Sequence, residues 1–438
     1  MIETRFETYC KHLEIQNERP YILALSGGGD SVCLFHLLRS IGVKFIAAHC
    51  NYQLRAEESE QDELFVTMLC EKYGVDLKVK RFDTVSLVEK SKGNIQEVAR
   101  NIRYHWFGEL LEKENCSGTF TGHHLNDSIE TSLFNFSRGT DLRGLTGISS
   151  VNGSILRPLS IFTKKEILEY LASNNFDFRN DSSNFKADYS RNKLRLEILP
   201  KFEEIFPDVD IRFRKSLENI KHADQFVNHQ IELIRKDLFS DVKFGVQIPM
   251  KGLLALKPLN WTLSKIFAPY GFSSGIEIAK LLNSGSGKQM ISPDYRLIRH
   301  REYLLLAKLA EKNKEYTVRE IESTYSDPIS FRIVRCDKLG VDENFDVEFD
   351  CDTFDLPLTI RTWKQGDYFY PKGMHGKKKI SDFYADLKLS LLEKENTWLI
   401  CSGDKIMHVI GHRQDARFVV KGDTNDRLGI KFIDHEQL

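Results

Sequence analysis

The stretch Tyr21–Ser31, which reads YILALSGGGDS, decides the fold of the first part of the chain. Its five leading apolar residues predict a short buried strand, and the spacing of the apolar residues after Ser31 predicts a helix. Between strand and helix lie two serines, three glycines and an acid: Ser26, Gly27, Gly28, Gly29, Asp30 and Ser31.

This loop has the composition of an anion site. Successive glycines let backbone N–H groups converge on one point, and the helix adds its positive N-terminal end. Phosphate is the natural ligand, with Ser26 and Ser31 as hydroxyl donors. Asp30 would repel phosphate unless a cation joins them, so Asp30 is a candidate magnesium ligand. A glycine-rich turn chosen only for its shape is the alternative, against which the serines, the acid and the strand–helix context argue.

Strand and helix patterns alternate over the first two hundred residues. Val43–His49, Leu77–Phe82 and Gly118–Thr121 are typical of further strands, and Ile95–Leu111 is typical of a helix between two of them. This alternation predicts an α/β domain whose parallel sheet is covered on both faces. We expect this domain over residues 1–205, a mostly helical middle domain over 206–312 and a small α+β domain over 313–438.

Composition bounds the class of protein. With 438 residues, 41% of them hydrophobic, and a formal net charge of -1, the chain is neither disordered nor uniformly basic. None of its eight cysteines forms a C-x-x-C pair, which disfavours zinc-ribbon and iron–sulfur sites and fits a reducing compartment. No apolar stretch approaches the ~18 residues of a membrane span, so we expect a cytoplasmic protein.

The pattern S-G-G-x-D-S at Ser26–Ser31 resembles the signature of the PP-loop ATP pyrophosphatases. The resemblance implies an adenine nucleotide alpha-hydrolase-like domain, whose loop holds the pyrophosphate of ATP while AMP is transferred. It therefore implies adenylation and leaves the acceptor substrate open.

Further segments resemble one family, the tRNA(Ile)-lysidine synthases. The segment from His49 to Arg55 is similar to its H-x-N-H-x-L-R, with Cys50 and Tyr52 as departures. Other similar segments, the last two in the C-terminal domain, are Asn94–Tyr104, Gly122–Thr131, Ser137–Leu145, Asp181–Pro200, Arg361–Asp367 and Gly376–Phe383.

The resemblance implies roles for residues that match its motifs. Besides the loop, it implies ATP-binding roles for His49, Asn51 and Arg100, and catalytic roles for Asp30, Asp127 and Arg103. Contacts to tRNA are implied for Arg138, Arg191, Asn192, Arg195, Lys377, Lys378 and Lys379. Without the resemblance, a solvated helix face is the favoured interpretation of Arg100 and Arg103, and a helix cap is that of Asp127.

The implied reaction is the ligation of free lysine to C2 of the wobble cytidine in the CAU anticodon of an isoleucine tRNA. ATP activates the cytidine as an adenylate with magnesium as cofactor, and pyrophosphate and AMP are released. The codon read changes from AUG to AUA, and the amino-acid identity changes from methionine to isoleucine. The oligomeric state stays open, with a homodimer as one option.

Three alternatives are weaker on sequence grounds. A tRNA 2-thiolating enzyme usually needs catalytic cysteines or a cluster. A ligase of the GMP synthase type would not explain the Arg191–Arg195 segment or the lysines near Lys377. A non-enzymatic RNA-binding protein would not need the intact loop.

Overall fold

The computed structural model describes residues 2–54, 56–91, 94–179, 190–309, 315–327, 329–337 and 344–433. The chain divides into two compact units, Met1–Asn228 and His229–Leu438, and each is described by itself. The division into three domains predicted above stays a prediction.

The first unit contains a six-stranded sheet with the order β3-β2-β1-β4-β6-β5. All neighbouring strands are parallel except β5, which pairs antiparallel with β6. The strands are β1 Tyr21–Ala24, β2 Phe45–Asn51, β3 Leu77–Arg81, β4 Thr119–Phe120, β5 Val151–Asn152 and β6 Ile155–Leu156. The predicted parallel sheet is thus confirmed, and its last two strands are additions to the prediction.

The helices of this unit are α1 Ile2–His12, α2 Gly29–Ser40, α3 Ala56–Tyr73, α4 Thr84–Ser91, α5 Ile95–Lys113, α6 Leu125–Ser137, α7 Leu142–Leu145, α8 Lys164–Ser173, α9 Ser190–Lys193 and α10 Leu199–Ile205. A further helix, α11 Val209–Leu238, begins in this unit and continues past its last residue, Asn228. A π-helical turn, Leu194–Ile198, joins α9 to α10. No helix among the described residues combines the length and apolarity needed to cross a membrane.

The side chains of β1 show why helices cover both sheet faces. Tyr21 and Leu23 join a buried cluster with residues of α1, α2 and α8, whereas Ile22 joins a second cluster with Trp106 and Phe107 of α5. Alternate residues of a strand point to opposite faces, so a strand apolar at every position requires cover on both. Each fully buried large apolar side chain contributes about 1.5–3 kcal/mol.

The second unit begins with a five-stranded antiparallel sheet, order β7-β8-β11-β10-β9, and three short helices. These elements are β7 Ser240–Val242, β8 Gly245–Pro249, α12 Met250–Ala255, α13 Leu259–Phe267, α14 Gly275–Leu282, β9 Gln289–Ile291, β10 Tyr295–His300 and β11 Tyr303–Lys308. The region 206–312, predicted to be mostly helical, therefore contains a five-stranded sheet that begins at Ser240.

Two further antiparallel sheets follow, with orders β12-β16-β19-β20-β21 and β13-β14-β22-β15, together with a strand pair β17-β18. Their strands are β12 Glu315–Val318, β13 Ser323–Tyr325, β14 Phe331–Asp337, β15 Val347–Asp350, β16 Leu358–Thr362, β17 Tyr368–Phe369, β18 Lys378–Lys379, β19 Trp398–Ser402, β20 Lys405–Val409, β21 Arg413–Gln414 and β22 Asp426–Phe432. The helices are α15 Ile380–Asp386 and α16 Leu391–Asn396. One buried cluster joins both sheets, with Ile360 from the first and Ile333 from the second.

One glycine of the first unit fixes where its strands end. A Cβ on Gly122, just after β4, would lie 3.1 Å from the carbonyl carbon of Asp30 and 3.2 Å from the nitrogen of Ser31. The end of β4 therefore lies close against the backbone of Asp30 and Ser31, and a side chain at position 122 would have to push that backbone away by a few tenths of an ångström.

We expect Gly122→Ala to lower the free energy of unfolding by about 1–3 kcal/mol, because the new methyl group meets backbone rather than a flexible side chain. Gly108→Ala is the matched control. A Cβ on this exposed glycine of α5 meets nothing within 4 Å, so the change should raise stability by up to about 1 kcal/mol. Urea denaturation measures both, and equal effects would contradict the close approach at Gly122.

Candidate active site

The loop between β1 and α2 is held in shape by its own serines. Ser31 Oγ donates a hydrogen bond to the carbonyl oxygen of Gly28 over 2.9 Å and lies 3.1 Å from Ser26 Oγ. Gly27 has a φ of 88°, in the left-handed region that glycine adopts without strain. Hydroxyls and the first amides of α2 are thereby gathered around the loop, as an anion site requires.

A first cleft of about 470 Å³ opens beside the loop, at the carboxyl ends of β1, β2 and β4. Ala48 and Phe107 give it apolar walls, and Asp30, Arg103 and Asp127 give it charged groups. Ligands of open parallel sheets bind at this edge. A pocket of this size and mixed lining suits a nucleotide.

A second cleft, also of about 470 Å³, follows the loop on the side of α6, α8 and α10. Both clefts are lined by the same five residues: Ser26, Asp30, Ser31, Asp127 and Arg195. The second cleft is the more acidic, because Glu130 and Glu203 line it as well. The shared residues thus form the boundary at which ligands of the two clefts would meet.

Asp30 lies between two basic side chains. Lys164 Nζ, from the first turn of α8, donates to Asp30 Oδ1 over 2.6 Å. His124 Nε2 lies 3.7 Å from Asp30 Oδ2, and at the same distance from Asp127 Oδ2. The carboxylate predicted to bind magnesium therefore already faces positive charge from α8.

Asp127 is both a helix cap and a half-buried charge. Its Oδ2 accepts the backbone N–H of His124 over 2.9 Å, at the start of α6. Burial alone would raise the pKa of Asp127, but His124, His123 and Arg195 together hold it below its usual value. Asp127 is therefore an anion near neutral pH. It caps α6 and lines both clefts at the same time.

Arg195 binds the acids of α6. Its Nε and Nη2 donate to the two carboxylate oxygens of Glu130 over 2.7 and 2.8 Å, and Nη2 also reaches Asp127 Oδ1 at 3.2 Å. The hydrogen bond to Glu130 is the main reason why the pKa of Arg195 is raised. The residue was predicted to contact tRNA, and the structure places its guanidinium in the clefts against two carboxylates.

His49 and Asn51 lie on β2 behind the loop and line neither cleft. His49 is buried, with Nδ1 2.9 Å from the carbonyl oxygen of Leu25, and burial lowers its pKa. The amide of Asn51 donates to Glu63 over 2.8 Å. These contacts fix the strand end beside the loop, and the predicted contacts of both residues with ATP stay predictions.

Arg100 and Arg103 of α5 both lie close to one aromatic ring. Their guanidinium carbons lie 4.9 and 5.1 Å from the centre of the Tyr104 ring. Arg103 lines the first cleft and is hydrogen-bonded to the Tyr52 hydroxyl, whose pKa is raised by burial. The exposed Arg100 lines neither cleft.

Among the other predicted tRNA contacts, the side chains that the structure describes line neither cleft. Arg138 is exposed at the end of α6, and Asn192 is half-buried on α9. The side chain of Arg191 and the segment 180–189 lie outside the described residues. In the second unit, Lys377 and Lys379 are exposed, and Lys378 forms an ion pair with Asp386.

Sequence reasoning missed Lys164. Its signal was a cation in the first turn of a helix, directly after the capping residue Thr163, where the helix dipole disfavours positive charge. A partner of opposite charge offsets this cost, and here that partner is Asp30.

In the part of the chain that the structure describes, no three His, Cys, Asp or Glu side chains are grouped to hold a metal ion by themselves. Magnesium in nucleotide sites usually takes one or two carboxylates and completes its shell with water and phosphate oxygens. Asp30 fits this arrangement, because its carboxylate lines both clefts at the N-terminus of α2.

Comparison with known proteins gives matches over nearly the whole chain. Family models described as a PP-loop domain, a TilS substrate binding domain and a TilS substrate C-terminal domain match residues 2–202, 243–309 and 358–428.

Curated relatives named tRNA(Ile)-lysidine synthase extend along the full length. That of Parabacteroides distasonis is 37% identical over 97% of this chain and 98% of its own. That of Bacteroides thetaiotaomicron is 36% identical over 99% of this chain and 100% of its own. Among solved structures, the U34-tRNA thiolase NcsA from Methanococcus maripaludis is 20% identical over 50% of this chain and 79% of its own, with a TM-score of 0.43.

The pH dependence of stability should report on His123, which lines the first cleft. Burial lowers its pKa from 6.5 to about 4. Between pH 6.5 and about 4, this histidine binds a proton in the unfolded chain but not in the folded protein. The free energy of unfolding therefore falls as the pH is lowered through this range, by up to ~1.4 kcal/mol per pH unit. We expect His123→Asn to flatten this part of the curve, measured by urea denaturation at several pH values. Parallel curves would contradict the assignment.

Proposed function

The chain belongs to the tRNA(Ile)-lysidine synthase family, and from this membership we propose that it ligates lysine to C2 of the wobble cytidine in the CAU anticodon of an isoleucine tRNA, using ATP. The tRNA would then read AUA instead of AUG and carry isoleucine instead of methionine. The observation that carries the proposal is the pair of clefts that meet at the glycine loop, in a chain with full-length relatives of this name. We expect this enzyme to work in the cytoplasm.

The first cleft is the proposed site of the adenosine of ATP, and the phosphates would extend along the glycine loop to its border with the second cleft. The apolar side chains of Ala48 and Phe107 would contact the adenosine, and the loop amides and serine hydroxyls would hold the phosphates. Arg103 faces the same space and would neutralise phosphate charge. Asp30 would hold magnesium, which when bound supplies positive charge to the phosphate oxygens.

The first chemical step forms the adenylate. The C2 oxygen of the cytidine attacks the α-phosphorus of ATP, an oxygen–phosphorus bond forms, and the bond from the α-phosphorus to the pyrophosphate oxygen breaks. Negative charge builds up on the leaving pyrophosphate, next to the positive end of α2 and the loop amides. The step converts a poor leaving group, the base oxygen, into a good one, AMP.

The second step needs a lysine amine, for which the second cleft is the proposed site. Its acids Asp127, Glu130 and Glu203 suit a ligand with two ammonium groups. The free ε-amine has a pKa of about 10.4, so it must lose a proton before its nitrogen attacks C2 and AMP departs. Since the pKa of Asp127 is lowered, we assign it to orienting the ammonium, with the proton passing to water.

Binding of tRNA is proposed for the remaining basic residues. In the second unit Lys377 lies 5.1 Å from the centre of the Tyr368 ring, and Lys379 is exposed nearby in sequence. Cations beside aromatic rings suit RNA phosphates and unpaired bases. We keep the domain division at residues 205 and 312, with catalysis in the first domain and RNA binding in the other two.

The reaction predicts release of AMP from ATP that depends on both lysine and the correct tRNA. We expect turnover with a CAU-anticodon isoleucine tRNA transcript and free lysine, measured by chromatography of labelled nucleotide. Omitting lysine, or supplying a methionine tRNA, should reduce AMP release to background. Equal turnover under either of these conditions would refute the proposed function.

The lysines of the second unit should differ in their contribution to tRNA affinity. Replacing both Lys377 and Lys379 by Gln should lower the slope of log affinity against log salt by about 1 for each lysine–phosphate ion pair that the substitutions remove. Lys378→Gln is the matched control, because the ammonium of Lys378 is engaged by Asp386. Filter binding across a salt series measures the slopes, and identical slopes would remove these lysines from the interface.

A further inference from the structure

Lys164 is a cation in an unfavourable place. It is the first residue of α8, where the partial positive charge of the helix end repels an ammonium group. A lysine at an exposed first turn would extend into solvent, yet this one is directed to the glycine loop and lies 2.6 Å from Asp30. The energy that the helix end costs is offset by a contact inside the candidate active site.

The backbone around Lys164 is fixed by contacts that point its side chain inward. Its N–H donates to Asn126 Oδ1 over 2.8 Å, and Asn126 in turn donates to Asp210 over 3.0 Å. Thr163 and Glu166 form a reciprocal capping box at the same helix end. Four residues thus hold the position from which the Lys164 stem reaches the second cleft.

Lys164 differs from the other cations that line the second cleft. Arg195 is engaged by Glu130 and Asp127, and Arg179 is engaged by Asp62 at 3.1 Å. Lys164 instead pairs with Asp30, the one carboxylate that is expected to change partner when magnesium arrives with ATP. That exchange would leave an ammonium on a flexible stem beside Gly28 and Gly29, which line the same cleft.

We propose that Lys164 is a phosphate-binding residue of this enzyme. Without nucleotide its ammonium neutralises Asp30, and with nucleotide it pairs with the pyrophosphate part of ATP and with the pyrophosphate that leaves. The proposal rests on the proposed function, since it assumes that ATP phosphates occupy the loop. It adds to the loop a cation from a helix more than a hundred residues further along the chain.

Isothermal titration calorimetry with inorganic pyrophosphate and with α,β-methylene ATP, both in magnesium, tests the proposal. Removal of one charge-assisted hydrogen bond should weaken the binding of both by about tenfold or more in Lys164→Gln. Lys165→Gln is the matched control, with the same charge change one residue along α8, and it should bind like the wild type. Lys164→Arg should restore most of the affinity.

A second measurement concerns the metal affinity of the protein without nucleotide. Removing Lys164 frees Asp30, so Lys164→Gln should bind Mn²⁺ more tightly than the wild type in the absence of nucleotide, as measured by electron paramagnetic resonance. Thermal unfolding should show a melting temperature close to that of the wild type, because the lost ion pair with Asp30 is offset by removal of an unfavourable charge from the helix end.

The outcomes separate the two proposals. Wild-type affinity for pyrophosphate in Lys164→Gln, or an equal loss in Lys165→Gln, overturns the role of Lys164 and leaves the proposed function standing. A wild-type protein that binds no α,β-methylene ATP overturns the proposed function itself.

Discussion

Charge balance at the glycine loop is the constraint on which the rest of the site depends. The N-terminus of α2 and its amides attract anions, yet Asp30 stands in the second position of that helix. An acid there is compatible with phosphate only if positive charge accompanies both. Lys164 from α8 supplies it at 2.6 Å from the carboxylate, and the ring of His124 from the start of α6 lies 3.7 Å from the same group. The fold thus brings together segments distant in sequence to balance one carboxylate.

The acids outside the loop are likewise balanced by a nearby cation. Glu130 is almost fully buried, at 4% exposure, and an uncompensated carboxylate there would be costly. Arg195 compensates it with two hydrogen bonds and reaches Asp127 as well. Asp127 therefore stays ionised at the boundary of the two clefts. The second cleft adds Glu130 and Glu203 to the acids that both clefts share, and Arg195 lies at their boundary.

Local patterns predicted the fold better than the site. The apolar run at Tyr21–Leu25 and the loop after it led to the parallel sheet, because strand, glycine loop and helix are adjacent in sequence. The partners of Asp30 and Glu130 were not predictable in this way, since Lys164 and Arg195 approach from segments whose positions depend on the whole sheet. The basic segment around Arg195 led to the prediction of a tRNA contact, whereas the sequence around Lys164 predicted no functional role. The two-residue strands β5 and β6 carry too few residues for a pattern.

The position of Arg195 in the chain has a consequence for synthesis. The clefts are lined by residues from Ala24 onward, yet the cation that compensates Glu130 comes from the turn Leu194–Ile198. A nascent chain that has emerged only as far as β6 contains the complete sheet but not the partner of its buried acid. The acids of the clefts therefore gain their arginine partner only after the whole sheet has been synthesised.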